Sequence, residues 1–375
     1  MQPRPFVLER YFSRYEFSAR YLLSSSDCDG LSMSELLSWA DDESRALWDG
    51  LSLGYTESPG HPLLRREIAD LYTGVDPDEV IEFVPEEAIF TAIHCLLEPG
   101  DHVICTHPGY QSLHQLAEDM GCVVDKWMPH EDQGWRFDPA DLESLMRPNT
   151  RLVVVNFPHN PTGYLPPRAD FARVVDIARR AGVHLFCDEM YRFLEQDPTT
   201  RLPSAVEVYD KAIVLFGMSK TYGLAGCRVG WLVCHDEELR ARFQTYKDWL
   251  TICGSAPSEI LSIIALRNRD RIVERNVALI SRNIATLSEF AAAHPGFAAY
   301  TPPRAGSIAF ARLLTEPSSM DFAESVVREA GIMVAPSQLY GYGDHHIRIG
   351  FGRKVFPQAL QQLHGFLIAR GRHGR

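Results

Sequence analysis

The sequence predicts an α/β protein, with a three-layer α/β/α large unit built on a mostly parallel sheet and a smaller α+β unit beside it. Three observations predict it. Short continuous apolar runs alternate with amphipathic helical stretches through the middle of the chain, as parallel strands buried on both faces do. A helical pattern then runs from 270 to 293 without glycine or proline. Beyond it the alternation shortens into a mixture of strands and helices. At 375 residues the chain is long enough for a large core and a second unit.

The elements follow in chain order. Residues 63–72 form a helical stretch. Residues 87–97 place Ala88, Ile89, Ala92, Ile93 and Leu96 on one helical face, and Pro99-Gly100 stops them. Strands are expected at 102–105, 152–156, 183–187, 212–216 and 229–234, with a helix at 171–180. After the long helix come strands at 307–313, 332–335 and 346–351 and helices at 321–330 and 357–369. The expected boundaries are 31–268 for the large unit, and 1–30 together with 269–375 for the small one. No internal repeat or low-complexity tract interrupts them.

Composition narrows the class of function. A formal charge of −12 argues against nucleic acid as a partner, since phosphate backbones need clustered lysine and arginine. No run of 18 apolar residues is present, so no membrane span is expected. The start Met1-Gln2-Pro3-Arg4-Pro5 has no apolar signal core, and a cytoplasmic location is expected. The eight cysteines are scattered without a Cys-x-x-Cys pair, which reads as free thiols and not as a disulfide or metal set.

In a parallel sheet, ligands sit at the carboxyl ends of the strands. Strand 183–187 ends in Asp188-Glu189-Met190-Tyr191-Arg192, and strand 212–216 in Gly217-Met218-Ser219-Lys220-Thr221-Tyr222-Gly223. Strand 152–156 ends in Phe157-Pro158-His159-Asn160-Pro161-Thr162-Gly163. An acid with a phenol, a lysine followed by Arg228, and an amide therefore converge. Pyridoxal 5′-phosphate chemistry needs such a set: a lysine for a Schiff base, an anion for the pyridine nitrogen, and donors to the ring oxygen.

Four motifs in this order and spacing make the chain resemble the class I/II aminotransferases, of pyridoxal-phosphate fold type I, over nearly its whole length. The resemblance implies a role for each matching residue. Lys220 would carry the cofactor and act as general base, Asp188 would pair with the pyridinium, and Tyr191 and Asn160 would bond the ring oxygen. Ser219 and Arg228 would hold the phosphate, and Tyr110 would stack on the ring. Tyr55, in Leu53-Gly54-Tyr55-Thr56, would reach the phosphate in the other subunit of a homodimer. Arg348, in His346-Ile347-Arg348-Ile349-Gly350, would grip the substrate carboxylate, as a bidentate fork suits.

The pattern breaks at one end. Where the family has a small-residue loop that cradles phosphate at a helix start, this chain has Phe83-Val84-Pro85-Glu86-Glu87-Ala88. Proline removes a donor there and Glu86 adds a charge. Gly217 stands in place of a hydroxyl residue often found three positions before the lysine, or else the loop is one residue shorter. Glu86 and Glu87 still occupy the cup positions; Glu86 is expected to turn outward, with Arg228, Ser219 and Tyr55 holding the anion.

The resemblance implies transamination of an L-amino acid with a keto-acid acceptor. A subfamily likeness points elsewhere. Leu8-Glu9-Arg10-Tyr11-Phe12, Ser24-Ser25-Ser26 and Ser219-Lys220-x-Tyr222-Gly223-Leu224 are similar to capreomycidine synthase-like enzymes, which cyclise hydroxylated arginines. Glu9 and Glu16 are then candidates to face a basic side chain, against the alternative of a solvated helix face. The loops 251–258 and 337–344 are further candidates for side-chain recognition. A non-catalytic protein that keeps the fold for binding is the remaining alternative.

Overall fold

Val153, Val154 and Val155 have no solvent-facing side in the sequence, and they have none in the fold: all three are buried in the strand Thr150–Asn156. Each such side chain contributes about 1.5–3 kcal/mol on burial. The computed structural model describes residues 3–314 and 318–373, so Met1 and Gln2 of the N-terminal run lie outside the described residues.

The main sheet has seven strands. Their spatial order is Val80–Phe83, Gly230–Cys234, Ala212–Gly217, His184–Asp188, Thr150–Asn156, His102–Thr106 and Val123–Trp127. All run parallel except Gly230–Cys234, which is antiparallel to both neighbours. The sequence reading passes over the two edge strands. In Val123–Trp127 only Trp127 is buried, and Asp125 and Lys126 break the apolar run of a buried strand.

The reversal at Gly230–Cys234 matters for the site. Ala212–Gly217 runs out to its carboxyl end, the chain turns through Lys220, and it returns beside itself, with the Met218 N–H donating to Val229 O at 3.0 Å. Arg228 is thereby returned to the turn that holds Lys220. A Cβ at Gly217 would stand 2.8 Å from the Gly230 Cα, so this pairing leaves no room for a side chain there.

The second sheet is antiparallel, with the order Ala335–Pro336, His346–Gly350, Ile308–Leu313 and Ala298–Ala299. The run 332–335 expected as one strand is two. Ile332–Met333 pairs in parallel with Tyr21–Leu22, and Ala335–Pro336 pairs with His346–Gly350. Between them, Val334 O accepts from the Tyr11 hydroxyl at 3.0 Å. The long helix Arg269–Ala293 ties the two sheets together: buried Asn276 donates to Thr221 O and buried Asn283 to Phe351 O.

Candidate active site

The carboxyl ends of the parallel strands, the N-terminal helix Val7–Tyr15 and the strand His346–Gly350 surround one cavity of about 520 Å³, within the usual range for small-molecule sites. Lys220, Asp188, Tyr191, Asn160, Arg348, Ser219, Arg228, Tyr110, Glu86 and Glu16 all line it. Asn156 joins two of the strand ends, donating to Asp188 O at 2.9 Å and accepting from the Asn160 N–H at 2.7 Å.

The segment 24–29 closes the floor. A Cβ at Gly350 would fall 1.8 Å from Ser25 O, and one at Gly223, whose φ is +67°, would fall 3.0 Å from Asp29 O. Only glycine admits the chain so close. Ser26 is thereby set where its Oγ accepts from Lys220 Nζ at 3.0 Å. The neighbouring Ser25 Oγ is buried without a partner.

Charges at the centre are held without their usual partners. Burial, and secondarily Arg348, push the Lys220 amine below its ordinary value, while Asp27, Glu9 and Asp188 oppose the shift. Asp188 accepts from the Met190 N–H at 3.0 Å, and burial pushes its carboxyl up to about 7. Tyr191 is buried, and burial raises its phenol. Arg348 is only 2% exposed and forms no ion pair among the described residues. Its guanidinium donates to Ser24 O (2.8 and 3.1 Å) and to Asn160 Oδ1 (3.2 Å), between the rings of Phe12 and Tyr340. A buried guanidinium without a counter-ion is a receptor for a carboxylate.

The opposite end departs from expectation. Glu86 is not turned outward. It lines the cavity, and its carboxylate accepts from Ser112 Oγ at 3.2 Å, with the Tyr110 hydroxyl also facing it. Pro85 is the first residue of the helix Pro85–Leu96, where its missing N–H costs little, and its ring packs on Gly230. The next residue then sits in the first turn, where the helix dipole favours an acid. Glu87 does not line the cavity; it accepts from Thr251 Oγ1 at 2.8 Å. Arg228 is exposed at the rim beside buried Ser219 and forms no ion pair among the described residues. Tyr55 is 89% exposed and outside the cavity of this chain.

The loops 251–258 and 337–344 do not line the cavity either. The N-terminal segment lines the cavity instead, with Glu9, Glu16 and Asp27 among its residues there. Burial raises the Glu16 carboxyl, as do Asp27 and Glu9, while Arg353 and Lys220 lower it. Tyr110 donates to Glu9 Oε1 at 3.3 Å, and Arg353 donates to Asp27 Oδ1 at 2.8 Å. Sequence reasoning singled out Ser24-Ser25-Ser26 but not the roles of Ser26, Asp27 or Ser112. Their only signal is position beside residues brought close by the fold.

The donor set fits pyridoxal 5′-phosphate. Asp188 is a buried carboxyl without an ion pair among the described residues, Lys220 a half-buried amine donating to Ser26, and Asn160 and Tyr191 line the same cavity as Arg348. Comparison with known proteins agrees. The family model for aminotransferase class I and II matches residues 21–362. The chain is 32% identical to capreomycidine synthase of Streptomyces vinaceus over 71% of its length and 67% of that protein. A solved pyridoxal-phosphate-dependent aminotransferase from Streptococcus suis superposes with a TM-score of 0.92 at 29% identity, covering 98% of this chain and 99% of that one. The pyridoxal-phosphate-dependent cyclase OrfR superposes with a TM-score of 0.89 at 28% identity, covering 99% and 98%.

Proposed function

The chain belongs to the aminotransferase class I and II family, and from that premise we propose that it acts on a free L-amino acid gripped by Arg348. The observation that carries this reading is the buried guanidinium without an acidic partner among the described residues, in one cavity with Lys220 and Asp188. The fold is pyridoxal-phosphate fold type I and the cofactor is pyridoxal 5′-phosphate. When bound, that cofactor supplies an electron sink for charge developing at the substrate α-carbon. Lys220 would anchor it and, as a neutral amine, would take the α-proton; Ser26 receives the amine's hydrogen bond. Asp188 would hold the pyridine nitrogen, Tyr191 and Asn160 the ring oxygen, and Ser219 and Arg228 the phosphate. Arg348 orients the substrate carboxylate and keeps the α-carbon within reach of Lys220. Assembly of this whole set in one cavity leaves the non-catalytic alternative without support.

Transamination to a keto-acid acceptor is the first reading of the reaction. The inward-facing Glu9, Glu16 and Asp27 favour a substrate with a cationic side chain, and with it the second reading, a cyclase or eliminase of an arginine-like amino acid. Incubation with arginine or hydroxyarginine separates the two. A keto acid appearing only with an acceptor marks the transaminase, and acceptor-independent loss of water from hydroxyarginine marks the cyclase. Glu16→Gln is expected to lower kcat/KM for arginine about tenfold more than for an apolar amino acid, the low end for a charge-assisted bond at a half-exposed site. Equal losses for both substrates would remove the cationic side chain from the proposal.

A homodimer is the proposed assembly. Leu53, Tyr55, Trp249 and Ile252 are exposed, and Ser58 ties the segment 53–58 to the end of the helix Glu237–Leu250 and the residues after it, its Oγ lying 2.9 Å from Asp248 Oδ1 and within hydrogen-bond reach of Ile252 O. Large apolar side chains so grouped mark an interface. Sedimentation is expected to show a dimer, and Trp249→Asp to weaken it by about 2 kcal/mol or more, about thirtyfold in dissociation constant. A wild-type monomer would remove Tyr55 from the phosphate site. No helix among the described residues is long and apolar enough to cross a membrane; a cytoplasmic setting is part of the same proposal.

A further inference from the structure

Glu86 is an acid at the end of the cavity that the cofactor reading assigns to the phosphate. It is the second residue of a twelve-residue helix whose first residue is proline, and it faces the cavity that Ser219 and Arg228 also line. No cation pairs with it among the described residues. Its fixed neighbour is a hydroxyl, Ser112 Oγ at 3.2 Å. The titratable and charged groups around it are Glu9 from the N-terminal helix, Tyr110 from the loop before Ser112, and Asp188 from the central strand. Lys220 and Arg228 line the same cavity but are not among the groups that shift the Glu86 carboxyl, and Glu87 is turned away to Thr251. A carboxylate and a phosphate dianion cannot share such a corner as two anions.

We propose that Glu86 binds the cofactor phosphate as a neutral carboxylic acid, donating the hydrogen bond that Pro85 cannot give from its backbone. The inference rests on the cofactor reading above. Burial, more than any neighbour, already holds the Glu86 carboxyl up to about 7 before any phosphate arrives. A second negative group raises it further. Loading the cofactor at alkaline pH therefore takes up a proton at Glu86, and affinity falls as pH rises. The device replaces a fixed amide donor with one that is present only when protonated.

The test uses apoprotein and 4′-deoxypyridoxine 5′-phosphate, which cannot bond covalently to Lys220, with unphosphorylated 4-deoxypyridoxine as control. Dissociation constants are read by tryptophan fluorescence between about pH 6 and pH 9, in wild type and Glu86→Gln. Glutamine keeps the shape, accepts from Ser112, and donates at every pH. The wild-type constant for the phosphate ester is expected to rise by up to about tenfold per pH unit above 7 relative to Glu86→Gln, while the control shows no such difference. Calorimetry in two buffers of different ionisation enthalpy is expected to show up to one more proton taken up by wild type than by the variant. Parallel profiles for the two proteins, with both binding the ester, would overturn the role of Glu86 alone. Failure of both proteins to bind the ester at any pH would overturn the cofactor reading with it.

Discussion

Lys220→Ala is expected to remove the visible absorbance band of the loaded protein, to abolish borohydride fixation of the cofactor, and to lower turnover by about 10²–10⁴-fold or more. The side chain does two jobs, anchoring the cofactor and moving the α-proton, and the figure covers only the second. Burial depresses the amine's pKa, so the neutral form that acts as nucleophile and base is more available than in a surface lysine. Misfolding is distinguishable from lost chemistry. A lysine whose folded pKa is depressed binds fewer protons in the native state than in the unfolded one, so its burial costs stability that is recovered as pH rises. Its removal should leave the apoprotein melting no lower than wild type at neutral pH. A small primary amine added to the variant should restore part of the rate through the vacated space. An unchanged visible band in Lys220→Ala would move the anchor to another residue.

Much of this centre was legible in the sequence because its residues follow buried strands. Asn160, Asp188 and Lys220 each stand at or just beyond the end of an apolar run, and neighbouring parallel strands bring those ends to one edge. Arg348 was legible by likeness of motif, but its isolation was not. That depends on Phe12 and Tyr340, separated from each other by most of the chain, flanking its guanidinium. The phosphate end was read in part. Likeness of motif marked Pro85 and Glu86 as departures, but which way Glu86 turns is set by Ser112 and Tyr110, on a different strand-to-helix connection. Val123–Trp127 was missed because an edge strand need not be apolar. The inward-facing wall of Glu9, Glu16 and Asp27 was half seen. A helix with polar residues on one face reads the same whether that face meets water or a cavity.

Two carboxyls of this site, Asp188 and Glu86, are held up to about 7 by burial, yet they are expected to act in opposite protonation states. Glu86 has to keep its proton to meet a phosphate. Asp188 has to lose its proton to meet a pyridinium, and the pyridinium's charge lowers the carboxyl that burial raised. The two acids differ in what the ligand brings to them, and this separates their pH limbs: affinity for a phosphorylated pyridine falls on the acid side through Asp188 and on the alkaline side through Glu86.

Asp188→Asn is expected to erase the acid limb and most of the catalysis. The amide keeps the shape, and its oxygen still accepts from the Met190 N–H, so the strand end is preserved. What is lost is a full negative charge in a buried site, where water cannot substitute for it. Loss of one preorganised electrostatic contact of this kind lowers kcat by about 10²–10³-fold, or about 2.7–4 kcal/mol. Stability should move the other way in the apoprotein. A carboxyl whose folded pKa lies near 7, above its unfolded value, favours the native state below the unfolded pKa and loses that contribution as pH rises through about 7. Asp188→Asn lacks this carboxyl, so its apoprotein should lose less melting temperature from pH 6 to 8 than wild type does, the decline that remains coming from Glu86 and Glu259, which burial also holds up to about 7. With cofactor bound the order should reverse above neutrality, because only the wild type gains the ion pair. Melting curves of both proteins, with and without cofactor, measure all four states. If the variant gains as much from the cofactor as wild type does, Asp188 is not the partner of the pyridine nitrogen.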